Sequence, residues 1–387
     1  MLVNMLFAVA NNVTTKDSLS TSLKSASSTE EKLEILTNLM DISRQEEQVA
    51  YAKELYKEAL ANNDDYYKEI ALTEILRFYV NNDIKDSTNV YMEEAKQELK
   101  GKARDFLVTY MQTIVDVRIV FYTEGEERKK LIEQYRLKLE TDKKLSALEK
   151  MSINYLLGMA YSNRVEPGRE NELQEMVSER FREVIALSEN MPLRYSYLFR
   201  LNSFSILTLY SPDDSEKVKY AVRYLDMQKE YAETKEMKKR PYVTKRHLLN
   251  AYSSLALSAK TLGKDIATSY YQHFMALNDQ YPEAAAFSPE YERYFTSLNF
   301  YRLIDEYPKA IKYCDSVIHY FRNSGLKIDL SEHVVSTLKE KIDMLDSLHL
   351  YKEAFYAHKE YAALLDSARL KNINDKLEDL EIQKRVD

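Results

Sequence analysis

Glycine and proline are scarce in this chain of 387 residues. Six Gly and seven Pro make about 3% of it, against roughly 12% in an average protein. A β-sandwich, barrel or propeller needs a turn about every ten residues, and these two residues supply many of them. Their scarcity argues against such folds. It also argues against the Gly-rich loops that cradle phosphates in nucleotide-binding folds, and neither a Walker-type nor a Gly-x-Ser-x-Gly sequence occurs. Tryptophan is absent. The single cysteine, Cys314, excludes an intramolecular disulfide framework and any multi-Cys zinc site, and its apolar surroundings on a helix point to packing. Six histidines, His247, His273, His319, His333, His349 and His358, include no pair at metalloprotease or zinc-finger spacing, and each reads as a helix-face residue. No stretch reaches the 18 or so apolar residues of a membrane span. Acidic residues outnumber basic ones, 62 to 55, for a net charge of −7, which argues against a nucleic-acid-coating surface. No catalytic residue, cofactor or metal is expected, and the chain reads as a non-enzyme.

What is present is helical periodicity. From Glu31 onward, apolar residues recur at steps of three and four: Leu33, Leu36, Leu39 and Met40, then Val49, Ala52, Leu55, Tyr56 and Ala59, then Ile70, Leu72, Ile75, Leu76 and Tyr79. Asn62-Asn63-Asp64-Asp65 and Asn81-Asn82-Asp83 break the pattern. Further helices are predicted at about 86–100, 103–122, 127–143, 146–163, 170–189, 194–210, 215–234, 243–262, 264–280, 289–304, 307–323, 331–347 and 351–367. Links of two to six residues suit antiparallel neighbours. The fold class is therefore all-α, a continuous array of about eight helical hairpins over residues 11–367.

Several hairpins carry tetratricopeptide (TPR) spacing, which predicts a TPR-like right-handed α-α superhelix. Leu157-Gly158 with Tyr161 matches the core of a first helix, where a small residue lets the second approach. Tyr307 and Ala310 match a second helix whose partner supplies Tyr301. Tyr351-Lys352-Glu353-Ala354 repeats that start. The 31 tyrosines suit such an array, because large side chains fill the grooves while hydroxyls stay wet at the edges. The basic stretch Lys235, Lys238, Lys239, Arg240, Lys245, Arg246 and His247 around Pro241 reads as a solvated loop between helices, with anion binding as the alternative.

The two ends carry the remaining signals. Leu2 to Ala10 is a short apolar run ending in Ala8-Val9-Ala10 and followed by polar residues, as at the end of a secretory signal peptide, although no Lys or Arg precedes Lys16. Residues 1–10 are read as a signal-peptide remnant. At the other end, residues 368–387 form a charged helix with Leu370, Ile373, Leu377 and Leu380 on one seam, a short coiled coil suited to self-association or a cap on the array.

Tyr351-x-x-Ala354, Tyr361-x-x-Leu364-x-Asp366-Ser367 and Asn372-x-Asn374-x-x-Leu377-Glu378-x-Leu380, with Asp17-Ser18-Leu19 and Ser28-x-Glu30-x-Lys32-Leu33-x-x-Leu36 at the start, resemble the extracytoplasmic TPR sensor regions of Bacteroidetes-type membrane-bound regulators. In that family the last helix leads to a membrane span and then to a histidine kinase or LuxR-type helix-turn-helix domain. The resemblance implies a periplasmic or envelope sensor whose membrane contact and output lie in a segment outside these 387 residues. The alternative is a stand-alone cytoplasmic or envelope scaffold for protein–protein interaction. Either way the expected ligand is a peptide, protein or small molecule held in the concave groove. TPR register places Asn250, Ser253, Leu257 and Lys260, and Glu292, Phe295, Asn299 and Arg302, on that face. Asn250, Asn299 and Arg302 are the candidate ligand-binding residues, because Asn and Arg can hold a peptide backbone and a carboxylate.

Overall fold

The computed structural model describes residues 15–162, 170–323 and 330–366. Among these the chain is all helix, with no strand. The signal-peptide reading of residues 1–10 and the seam in 368–387 lie outside them. The helices are α1 (15–25), α2 (Thr29–Ile42), α3 (Gln45–Ala61), α4 (Asp65–Asn81), α5 (Lys85–Glu98), α6 (Gly101–Tyr122), α7 (Gly125–Thr141), α8 (Ala147–Ser162), α9 (Glu170–Ser188), α10 (Leu193–Tyr210), α11 (Asp214–Ala232), α12 (Lys235–Lys238), α13 (Pro241–Ala256), α14 (Ala259–Leu262), α15 (Lys264–Gln280), α16 (Pro289–Leu303), α17 (Tyr307–Asn323), α18 (Leu330–Ser347) and α19 (351–366), with a 3-10 turn at Pro282–Ala284. Most limits fall within two residues of those read from periodicity. The predicted helix 243–262 is instead two, α13 and α14, and the short α12 was not anticipated.

The links explain how a chain so poor in glycine turns so often. Asn63, Asp83, Asp305 and His349 all lie in the left-handed region, at φ 52°, 56°, 60° and 58°. At each, the following amide donates to a carbonyl five residues back: Asp64 to Ala59 (2.9 Å), Ile84 to Tyr79 (3.0 Å), Glu306 to Tyr301 (2.9 Å) and Leu350 to Leu345 (2.9 Å). This is the closure that glycine usually provides at a helix C-terminus. Asn and Asp tolerate the conformation better than other side chains, so they take the place of Gly.

Among the described residues the contacts divide the chain into two compact units, one running to residue 255 and including 281–284, the other made of 256–280 and the residues from 285 onward. In the first unit each helix from α2 to α11 packs on the next, and α4 also packs on α6, α6 on α8 and α10, and α8 on α10. That makes an inner layer of alternate helices and an outer layer of α3, α5, α7 and α9, the two-layer signature of a helical repeat. Contact between α6 and α10 shows that the inner layer curls back on itself. An aromatic cluster fills the bend. Phe199 of α10 meets Tyr110 of α6 edge-on at 5.0 Å and Tyr155 of α8 at 5.3 Å, and the Asn202 amide donates to both tyrosine hydroxyls (3.0 and 3.2 Å). Gly158 has the packing role expected of it, since a Cβ there would stand 2.8 Å from the ring of buried Phe181 on α9.

The second unit has its own core. Leu298, Ala310, Cys314, Val317, Phe321, Val334 and Leu338 cluster between α16, α17 and α18. Tyr271 stacks on Phe300 at 4.2 Å, and Tyr301 on Tyr313 at 5.7 Å. Cys314 is fully buried, and burial pushes its thiol up to about 12.

Candidate ligand-binding site

The basic stretch around Pro241 is where the structure departs most from expectation. It is not a solvated loop. Thr234 caps α12, its hydroxyl accepting from the Met237 amide (3.4 Å), and Pro241 opens α13, where a missing N–H costs nothing. Lys235 and Lys238 stay exposed, while Arg240 is buried. The stretch turns inward because the first unit offers it carboxylates. Arg240 donates through Nε to Asp41 Oδ2 (3.1 Å) and through Nη2 to Asp41 Oδ1 (2.6 Å) and Glu74 Oε1 (3.2 Å). Glu74 also receives Arg77 (2.6 Å). Arg246 donates to the carbonyls of Asp41 (2.8 Å) and Ala284 (3.1 Å). The two carboxylates respond differently. Burial raises the Asp41 carboxyl despite its pair with Arg240. At Glu74 burial also acts upward, but Arg77 and Arg240 together outweigh it and hold the carboxyl below its usual range. Desolvation, reinforced by Arg246, Arg77 and Arg240, pushes the neighbouring His247 imidazole down to about 3, so it is neutral.

Against this lattice lies a chamber of about 120 Å³. Tyr66, Glu69 and Thr73 of α4, Arg194 and Tyr197 of α10, Tyr231 of α11, Glu236 of α12, Arg240 just before α13, and His247 of α13 line it. The Tyr197 hydroxyl donates to Gln228 Oε1 (2.7 Å), and the Tyr197 ring meets His247 edge-on at 5.8 Å. Burial raises the hydroxyls of Tyr197 and Tyr231, the latter to about 12. A larger, more open vestibule of about 500 Å³ is lined by Glu30, Asn62, Asp64, Tyr67, Lys235 and Lys239 among others. Tyr66, Arg194 and Glu236 line both spaces. The Tyr66 hydroxyl donates to the Glu236 carbonyl (2.7 Å). Arg194 is ion-paired with Glu69, lies 3.8 Å from the Glu236 carboxylate, and has its guanidinium 5.6 Å from both the Tyr66 and Tyr195 ring centres. A third cavity, about 580 Å³, opens beside α6 and α10 with an apolar floor of Phe106, Leu148, Met191 and Tyr195 and with Lys96, Lys102 and Arg104 around it.

None of the three residues singled out from TPR register lines these spaces. Asn250 lies exposed on α13 in the first unit. Asn299 and Arg302 belong to α16 of the second unit and are brought together: Arg302 donates to Asn299 Oδ1 (3.0 Å), Asn299 donates to the Phe295 carbonyl (2.9 Å), and Arg302 also pairs with Glu340 of α18 (3.4 Å). The residues that build the chamber left a fainter trace. Glu74 interrupts the apolar run Ile70-Ala71-Leu72 and Ile75-Leu76, and Asp41 follows Leu39-Met40 on an apolar stripe. A charge inside a buried stripe demands a partner. Nothing in the spacing names Arg240, some 200 residues from Asp41, as that partner.

Among the described residues no helix is long and apolar enough to cross a membrane, and no group of three or more His, Cys, Asp or Glu is placed to hold a metal ion. No family model and no curated protein matches the chain.

Proposed function

We propose that the protein is a non-enzymatic, TPR-like binding and sensing module that captures a peptide, a protein segment or a small ligand on the inner face of its first unit. One observation carries the reading. Side chains from six separate helices, α4, α6, α10, α11, α12 and α13, converge on one chamber with an adjoining vestibule. Binding sites in helical arrays are built this way, from facing helices and a few placed polar groups. The TPR register rests on Gly158 against Phe181, on buried Ala310, and on the repeated Tyr-x-x-Ala starts at Tyr307 and Tyr351. The resemblance at the two ends favours a sensory region of an envelope regulator, with output delivered through a membrane segment and effector domain outside these residues. A stand-alone scaffold is the other form of the same reading. Arg302 is already engaged by Asn299 and Glu340, so the first unit is the better place to test.

The test is a binding screen of the whole chain against short peptides and metabolites by calorimetry and ligand-observed NMR, repeated on Arg194→Ala. A hit weakened at least tenfold by the substitution supports the site. A panel of hits that all bind Arg194→Ala with unchanged affinity refutes it.

A further inference from the structure

The chamber is small. At about 120 Å³ it falls well short of the roughly 300 Å³ at which pockets for drug-sized ligands begin, so a peptide cannot enter it whole. Its walls also balance. Glu69, Glu74 and Glu236 face Arg77, Arg194 and Arg240, and His247 adds no charge. A guest with net charge would leave one charge uncompensated beside buried Glu74 and Arg240, which is expensive. A zwitterion preserves the balance.

The wall charges are also committed to different degrees. Arg240 is shared between two carboxylates and Glu74 between two guanidiniums. Removing either from that lattice strands a buried charge. Arg194 is likewise shared, between Glu69 and, at 3.8 Å, Glu236, but it lies at the boundary with the vestibule, where its side chain is 34% exposed and that of Glu69 13%. An arginine has five donors, so this one can receive a further carboxylate beside Glu69 and Glu236 while its plane lies against the Tyr66 and Tyr195 rings. Glu69, the carboxylate bound to Arg194, suits an ammonium.

Resting on the reading of the first unit as a ligand-binding module, we infer that the chamber takes a small zwitterion of the α-amino-acid class. It inserts into the Glu69–Arg194 pair, its carboxylate on Arg194 and its ammonium on Glu69. It enters from the vestibule past Tyr66, Arg194 and Glu236, the three residues common to both spaces.

The experiment uses the whole chain at pH 7 and the twenty common L-amino acids as probes, by calorimetry and saturation-transfer NMR. The expected result is binding of at least one with a Kd below about 1 mM. The same amino acid as its carboxamide, or with its amine acetylated, is expected to bind at least tenfold more weakly. These analogues test the assignment on the unaltered protein, so it does not depend on a variant folding. Arg194→Met and Glu69→Gln, checked for unchanged helical content, should each weaken binding at least tenfold, whereas Lys102→Met beside the third cavity should not. Equal binding of the masked analogues, or of both chamber variants, overturns the proposal. A short peptide bound at the vestibule while every amino acid fails overturns the zwitterion but leaves the module reading standing. Failure of amino acids, peptides and metabolites alike overturns both.

Discussion

At the scale of single residues, the most consequential groups are charges set where the apolar pattern leaves no room for them. Asp41 and Glu74 lie on the buried faces of α2 and α4, and Arg240 answers both. Removing one member of a buried pair strands the other, at a cost of about 3–5 kcal/mol. Arg240→Met should therefore lower the unfolding free energy by about that amount in urea titrations, and a loss under 1 kcal/mol would contradict the lattice. His247 gives the protein an acid sensitivity with a definite sign. Its folded value, about 3, lies below the ordinary 6.5, so the unfolded chain binds the extra proton. The stabilising contribution is complete above pH 6.5 and is lost as pH falls below it, by at most about 1.4 kcal/mol per pH unit. Arg246, Arg77 and Arg240 reinforce this and Glu74 opposes it. Glu74, held low, adds its own loss as pH falls through and below the ordinary carboxylate range, whereas Asp41, raised by burial, acts in the opposite sense and above its ordinary value. Comparison with His247→Gln between pH 5 and 7 isolates the histidine, and the variant should show the flatter profile. Parallel profiles would remove His247 from the account.

At the scale of elements, the helices were legible and the site was not. Limits such as 307–323 and 264–280 follow from periodicity and from Asn/Asp breaks, which are local signals. The same breaks anticipate the left-handed closures at Asn63 and Asp83. Arg240 and Glu74 come together only through packing of distant helices, and no local rule carries that information. Even the basic stretch around Pro241 misled, because seven charged or polar side chains within a few turns usually mean solvent. The closures are open to a direct test. Asp305, at φ 60°, should gain stability on Asp305→Gly and lose it on Asp305→Val, since a β-branched side chain is the least tolerant of that conformation. The melting temperatures of the two variants should differ by several degrees in opposite directions from the parent, and a stable Val variant would show that the closure carries no strain.

At the scale of the whole molecule, two separate cores imply two unfolding events. Gly158→Ala forces a methyl onto the Phe181 ring, an overpacking worth about 1–3 kcal/mol. In differential scanning calorimetry it should lower the transition of the first unit and leave that of the second in place. Alkylation of Cys314, whose thiol is buried and pushed up to about 12, reports the second unit independently. It should stay slow until the second transition begins. A single transition moved as a whole by Gly158→Ala would mean that the units unfold as one.

The 3-10 turn at Pro282–Ala284 belongs to the first unit although the second begins at residue 256, and its Ala284 carbonyl accepts from Arg246. The two units are thus interleaved along the chain. In genetic terms, no single crossover point separates them: a recombination event near residue 255 would pass on α2 to α13 with Arg246 keeping its Asp41 acceptor but losing Ala284. The pair is inherited together or rebuilt.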